Sequence, residues 1–335
     1  MRFFQTVSIA VALSLAAALP ALAATQIKIA TIAPDGTAWM REMRAAGDAI
    51  RKSTDGRVEL KFYPGGVMGD AATVLRKMKI GQLQGSAFTG GEASIITKDA
   101  GIYTVPFLFR SQDEVDKVRA KVDPLVKEAV RKSGFELLGM SGGGFAYLMS
   151  TKDIKTREDL KSAKVWVPQG DEIADLTFKT AGVTPIPLPL SDVYTSLQTG
   201  LIDTAANTDA GAIAFQWHTK IKHVVDLPAI YVVGEVLLDK KTYDALSDAD
   251  RKVLNAEFDA GFARLEKANR DDNTSAHEAL KKQGITFFTP EPAEHAKWEG
   301  VGAETYKQLT AQHAFTPELQ KALDAALAEA RGASK

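Results

Sequence analysis

The 335-residue sequence contains no cysteine. That excludes disulfides, thiolate nucleophiles and thiolate metal sites, and leaves burial to hold the chain together. It has no charge excess either. The 41 basic residues stand against 42 acidic ones, for a net charge of −1, so the electrostatic footprint of a nucleic-acid or anionic-membrane binder is missing. No repeat of fixed period and no low-complexity tract occurs. No nucleophile elbow, P-loop, dinucleotide fingerprint or HExxH helix can be found. The Gly142-Gly143-Gly144 run lacks the strand–loop–helix context of a phosphate cradle. His218 and His223, five apart, do not share a helix face, and no carboxylates are spaced as an acid–base pair. These absences argue against an enzyme and imply neither cofactor nor metal.

Long apolar runs are missing except at the start. Arg2 precedes an apolar stretch over 7–22 that ends at Pro20 and Ala21-Leu22-Ala23. This reads as a cleavable secretory signal over 1–24, with small residues where signal peptidase cuts, so the mature chain starts near Ala24 or Thr25 in a bacterial periplasm. A retained anchor helix is the alternative, but the run is short for a membrane span and breaks at Pro20. About 311 residues then remain, enough for two domains with substantial cores.

What is present is an alternation of strands and helices. Ile27 and Ile29 alternate in a strand over 26–32, Pro34-Asp35-Gly36 turns, and Trp39, Met43, Ala46 and Ile50 share a helix face. A second strand carries Val58, Leu60 and Phe62. Asp70 caps a helix holding Val74, Leu75 and Met78, and a short strand follows near 86–88. The rhythm returns with a strand at 164–167, a helix at 171–181, an extended segment at 184–189, a helix at 193–199 and a strand at 201–206. This predicts an α/β fold with a mainly parallel sheet. Between the blocks, Ser141-Gly142-Gly143-Gly144 follows a strand at 135–140 and reads either as a hinge between domains or as a plain surface loop. After a strand at 231–238, a helix of more than 30 residues starts at Ser247, long enough to run along two domains.

Three segments resemble one known family. They are Thr54-Asp55-Gly56-Arg57-Val58 with Phe62-Tyr63-Pro64-Gly65-Gly66-Val67-Met68-Gly69-Asp70; Val105-Pro106-Phe107-Leu108-Phe109; and Asp192-Val193-Tyr194-Thr195-Ser196-Leu197-Gln198-Thr199-Gly200 with Leu201-Ile202-Asp203. In order and spacing they are similar to the solute-binding subunits of tripartite ATP-independent periplasmic (TRAP) transporters, DctP type. The resemblance implies a two-lobed periplasmic-binding-protein fold with a hinge, an interdomain ligand cleft and a long helix spanning both lobes. Lobe I would take 25–142 and 232–270, and lobe II 143–231 and 271–331. It implies capture of a small organic solute, a carboxylate by family default, and delivery to membrane permease subunits driven by an ion gradient. A secreted α/β enzyme and a ligand-sensing lobe for a membrane receptor are the rival readings.

The sequence departs from the family at its anchor. Many members carry an arginine before a Val-Pro step, where a guanidinium can grip a carboxylate bidentately; Trp166 stands there, and Ala146 occupies a second arginine position. Trp166 is either a core residue or an exposed cleft wall on which a flat ligand stacks, and the matched position favours the wall. Asn207 matches a ligand asparagine, with Ala206 in place of the preceding glutamate. Thr89 and Glu92, beside Gly90 and Gly91, replace a polar loop, and Asp35 and Thr37 lie on the first strand-to-helix loop. Gln169, Asp171 and Asp209 are weaker ligand candidates by position, since acids in turns commonly serve as caps. The set is aromatic and acidic where relatives are basic. N-terminal sequencing of a periplasmic extract is expected to return a chain beginning at Ala24 or Thr25; full-length protein retained in the membrane would instead make the leader an anchor.

Overall fold

The computed structural model describes residues 24–332, and the leader expected over 1–24 lies outside the described residues apart from Ala24. Strand β1 (Thr25–Ala30) buries Ile27 and Ile29 and leads through the Pro34 turn into helix α1 (Ala38–Ser53), whose N-cap Thr37 accepts the Met40 N–H at 3.3 Å. β2 (Val58–Tyr63) pairs parallel with β1. α2 (Ala71–Lys79) begins at the expected cap, with Asp70 Oδ1 accepting the Thr73 N–H at 2.7 Å. β3 (Gly85–Thr89) runs parallel on the other side of β1. A single turn, α3 (Gly90–Ala93), and the 21-residue α4 (Gln112–Lys132) follow. The sequence reading passed over α4, yet its Val115, Val118, Val122, Val126 and Val130 recur at helical spacing and are all fully buried. At roughly 1.5–3 kcal/mol for each buried side chain, that stripe is a major part of the core.

β4 (Phe135–Ser150) then carries the chain out of this first lobe. The second is built from β5 (Trp166–Pro168), α5 (Glu172–Thr180), β6 (Ile186–Leu188), α6 (Val193–Thr199), β7 (Thr204–Asn207) and α7 (Asp209–Ala214). β8 (His223–Asp239) returns to the first lobe, where α8 (Lys240–Ala245) turns the chain into the 35-residue α9 (Asp248–Lys282). β9 (Thr286–Phe288), α10 (Pro292–Ala311) and α11 (Pro317–Ala330) complete the described chain.

The sheet order is β2-β1-β3-β8-β4-β7, with β9 beside β8. The β5–β6 pair approaches β7 through a Val165–Thr204 bridge. Among the strands of the described residues, only β4 and β8 belong to both lobes. They pair antiparallel from Phe135 opposite Asp239 to Ser150 opposite His223. The 141–144 segment is therefore not a surface loop: it is strand, with the pairing shifted between Gly142 and Gly144, a bulge that bends the ribbon where it changes lobe. Each lobe packs both faces of its part of the sheet. Leu137 and Leu237 face one first-lobe core, and Leu138, Val236 and Leu238 the other; Leu148 and Val225 face one second-lobe core, and Met149 and Val224 the other.

α9 starts at its expected cap, with Ser247 Oγ accepting the Asp250 N–H at 3.1 Å, and spans about 50 Å at 1.5 Å per residue. Leu254, Phe258, Phe262 and Leu265 pack in the first lobe and Leu280 in the second. The tail corrects the expected lobe boundary. Leu309, Phe315, Leu319, Leu323 and Leu327 pack against the α4 valines in the first lobe, and the Thr316 N–H donates to Asp99 Oδ1 at 2.9 Å. Residues 309–330 thus leave the second lobe, to which the sequence reading assigned them. Gly139 lies directly under Phe262, and a Cβ there would meet ring carbons at 2.2 and 2.5 Å. Because Phe262 is wedged between Trp39 and Phe258, Gly139→Ala is expected to cost ~1–3 kcal/mol, seen as a lower urea midpoint with an unchanged m value.

Candidate functional site

Between the lobes lies a cleft of about 800 Å3. Its floor is the β4–β8 ribbon at Ala146, Val232 and Gly234. The first lobe supplies one wall from the β1–α1 loop and from α3; the second supplies the other from β5, the start of α5 and α7. α9 closes the back with Asn269, Asp272 and Asn273. Open α/β sheets place ligands at the carboxyl ends of their strands, and the loops after β1, β3, β5 and β7 meet here.

Seven of the nine sequence candidates line this space: Asp35, Thr37, Thr89, Glu92, Trp166, Asp171 and Asn207. Asp35 is exposed at the rim in an ion pair with Arg44 at 2.6 Å. Thr37 caps α1, and its hydroxyl donates to the Pro34 carbonyl at 2.8 Å. Thr89 and Glu92 form a capping box on α3: Glu92 Oε2 accepts the Thr89 N–H at 2.9 Å, and Thr89 Oγ1 accepts the Glu92 N–H at 3.3 Å. Asp171 caps α5, accepting the Ala174 N–H at 3.0 Å. Asn207 Oδ1 accepts the Thr208 N–H at 2.8 Å, which leaves its Nδ2 as a donor.

Gln169 and Asp209 are elsewhere. Gln169 borders a small adjoining recess with Gly66, Asp70 and Ser191. Asp209 is 3% exposed and bonded to His277 Nδ1 at 2.8 Å behind α7, where it joins α7 to α9. Trp166 is also corrected. It touches the cleft but is only 5% exposed, with its indole N–H donating to the Leu188 carbonyl at 2.9 Å and its ring edge-on to Trp217 at 5.5 Å. Strand alternation turns it away from Val165 and Val167 into a second-lobe core. It is a core residue with one edge at the cleft, not an exposed wall for stacking.

Sequence reasoning missed the aromatic lining from Trp39, Phe215 and Trp217, and the asparagines of α9. Trp39 had been read as part of the α1 apolar stripe; Gly234 makes room for its ring on β8, since a Cβ there would lie 2.6 Å from it. Asn269 and Asn273, four residues apart, share a face of α9, and that spacing was the available signal.

Two carboxyl groups in the cleft are shifted upward. Burial pushes Asp171 up to about 6 against the lowering effect of its helix-cap bonds. Burial also raises Glu92; its Thr89 bonds oppose the shift, and the nearby Asp171 charge adds to it. Among the described residues, no three His, Asp or Glu side chains converge as a metal site, and no helix is long and apolar enough to cross a membrane.

Residues 29–313 match the family model described as bacterial extracellular solute-binding protein, family 7. The C4-dicarboxylate-binding periplasmic protein DctP of Rhodobacter capsulatus is 23% identical over 304 residues, 90% of this chain and 91% of the relative. The ectoine/5-hydroxyectoine-binding periplasmic protein UehA of Ruegeria pomeroyi is 26% identical over 247 residues, 70% of this chain and 71% of the relative. A TRAP periplasmic solute-binding protein of Xanthobacter autotrophicus, solved with bound β-D-galacturonate, shares the fold with a TM-score of 0.84 at 21% identity, covering 90% of this chain and 99% of that one.

The upward shift of Asp171 has a thermodynamic consequence. A carboxyl that binds its proton more tightly when folded loses stability as pH rises from its unfolded value toward its folded one. Wild-type protein is therefore expected to lose on the order of 3 kcal/mol relative to Asp171→Asn between about pH 4 and pH 7. Asparagine keeps the helix cap without the charge, and urea midpoints of both proteins across that range measure the difference.

Proposed function

This chain belongs to family 7 of the bacterial extracellular solute-binding proteins, the DctP type of TRAP transporter, and we propose that it captures a small organic solute in the interlobe cleft and hands it to an ion-gradient-driven membrane permease from the periplasmic side. Its relatives are solute-binding proteins, not enzymes.

The observation that carries the reading is the position of the cleft. Its volume of about 800 Å3 suits a small metabolite, and it sits over the segment where the β4–β8 ribbon passes between the two lobes alongside α9. A solute touching both walls favours the conformation in which the walls approach, so binding and closure are linked. The lobes meet at the rim, where Lys98 of the first lobe pairs with Glu172 of α5 at 2.7 Å. That exposed pair contributes little to affinity, but it helps to set the register of closure. Within the cleft, Asn207 Nδ2 is assigned as a donor to the solute, with Thr89, Glu92 and Asp171 lining the approach between lobes. Asp35 and Thr37 shape the entrance, and Trp166 supports the floor from its core position.

The expected outcome is a smaller radius of gyration for solute-loaded protein than for protein stripped by unfolding and refolding, measured by small-angle scattering. Identical profiles at saturating solute would contradict closure and, with it, the capture mechanism.

A further inference from the structure

The charges of the cleft are one-sided. Its ionisable lining comprises Asp35, Glu92, Asp171 and Asp272 against a single cation, Arg41. Arg41 stands exposed at the entrance, with Nη1 donating to the Gly36 carbonyl at 2.7 Å, and Asp35 is already paired with Arg44. Asp272 is exposed on α9, which leaves Glu92 and Asp171 as the acids set into the walls. They come from opposite lobes, and among the described residues neither has a cationic partner. Asp171 reaches the first lobe closely enough that a Cβ on Gly91 would lie 2.1 Å from its Oδ2. Two carboxyl groups are thus brought to one seam, where the Asp171 charge raises the cost of ionising Glu92.

Several of the backbone amides that could receive an anion are already bonded. Four helices, α1, α3, α5 and α7, begin at this cleft, and a helix N-terminus is ordinarily an anion site; at α1 the Met40 N–H is held by Thr37. At α3 the Thr89 N–H is held by Glu92 and the Glu92 N–H by Thr89; at α5 the Ala174 N–H is held by Asp171. At α7, Thr208 Oγ1 accepts the Gly211 N–H at 3.0 Å, and Asn273 Oδ1, reaching across from α9, accepts the Ala210 N–H at 3.1 Å. Two of the four helices therefore present a carboxylate where an anionic solute needs donors. An entering carboxylate would meet acids on both walls and find few donors, Asn207 Nδ2 among them, to replace its hydration, which discriminates against it. The rest of the wall is partly aromatic, with Trp39 and Phe215 on its surface and Trp217 buried against Phe215.

Resting on the solute-capture reading above, we propose that this cleft selects solutes without net negative charge, which place a nitrogen group bearing N–H or positive charge between Glu92 and Asp171 and lay an apolar or flat body against the aromatic wall. A cation held there bonds both lobes at once and removes the repulsion between their carboxylates, so the same contact that recognises the solute draws the lobes together.

The test is a thermal-shift screen of the full mature protein, stripped by unfolding in urea and refolding, followed by calorimetry of every solute that stabilises it. The anionic probes are galacturonate, succinate and orotate; the others are putrescine, agmatine, choline, glycine betaine and nicotinamide. Stabilisation confined to the second group is expected. Glu92→Gln and Asp171→Asn should each weaken the tightest of these by about tenfold or more at neutral pH, while both variants still unfold cooperatively. Tightest binding by an anion overturns the charge assignment and leaves solute capture intact, as does affinity for the best solute that neither substitution changes. Failure of both groups to bind, with no solute carried through native purification by mass spectrometry, overturns solute capture and the charge assignment together.

Discussion

The structure depends on one ribbon. β4 and β8 are hydrogen-bonded to each other through both lobes, and every other strand joins its lobe by pairing with them or with a neighbour. β3 takes the Gly234–Leu238 part of β8, β9 takes His223–Val225, and β7 takes Tyr147–Ser150 of β4. Side chains on a strand alternate between faces, so each lobe must cover two faces of the same ribbon. Four cores result, two per lobe. The unpaired edges near Gly142–Gly144 and Val232–Val233 are where the ribbon has no third strand on either side. That gap is the floor of the cleft, so the place where the sheet is narrowest and the place where a solute fits are the same.

A bare two-stranded ribbon twists easily, and α9 limits that freedom. Its middle is polar because it bonds strand backbone instead of covering a core. Glu266 Oε2 accepts the Gly142 N–H at 2.7 Å, Asn269 Nδ2 donates to the Gly142 carbonyl at 2.9 Å, and Asn273 Nδ2 donates to the Gly143 carbonyl at 2.6 Å. Arg119 from α4 meets the same Glu266 at 3.1 Å. The bulge leaves ladder groups without strand partners, and these side chains take them up, as buried backbone polar groups require. The glycines are demanded by the same contacts. A Cβ on Gly142 would fall 1.8 Å from Tyr231 Oη, and one on Gly144, at φ +100°, would fall 2.6 Å from Asn273 Nδ2. The segment bends because of the bulge, while the glycines admit the side chains that hold it.

How much of this the sequence disclosed follows from the range of each interaction. Local devices were legible: the Asp70 and Ser247 caps, the α1 stripe and the bounds of α6 all rest on residues within a few positions of one another. The α/β class and the two lobes followed from their alternation and from the family resemblance. The return of α11 to the first lobe was not legible, because its partners on α4 and at Asp99 lie some two hundred residues away. The glycine run stayed open between hinge and loop for the same reason, since the strand and the helix that order it are remote in sequence. Trp166 shows the limit within a single strand. Alternation separates it correctly from Val165 and Val167, but which side of β5 faces a cavity depends on where β7, α6 and Trp217 sit. Asp209 was placed near the right helix and on the wrong side of it, toward His277.

The cleft residues that were legible owe this to a double role. Thr89, Glu92, Asp171 and Asn207 each bond the backbone at the start of a helix whose N-terminus reaches the cleft. Such positions are recognisable in sequence because few side chains can fill them. An acid and a neutral residue cap a helix about equally well, so folding leaves the charge of the cap undetermined. Here two of the four helices place a carboxylate at this end, Asp171 as the cap of α5 and Glu92 as the capping-box partner of Thr89 on α3, on opposite walls and without ion-pair partners among the described residues. Burial makes those charges costly, and a threonine or asparagine would cap without that cost, as Thr208 does on α7. Acids at positions where neutral caps serve the fold equally well place the reason for them in the cleft, with the solute that completes them.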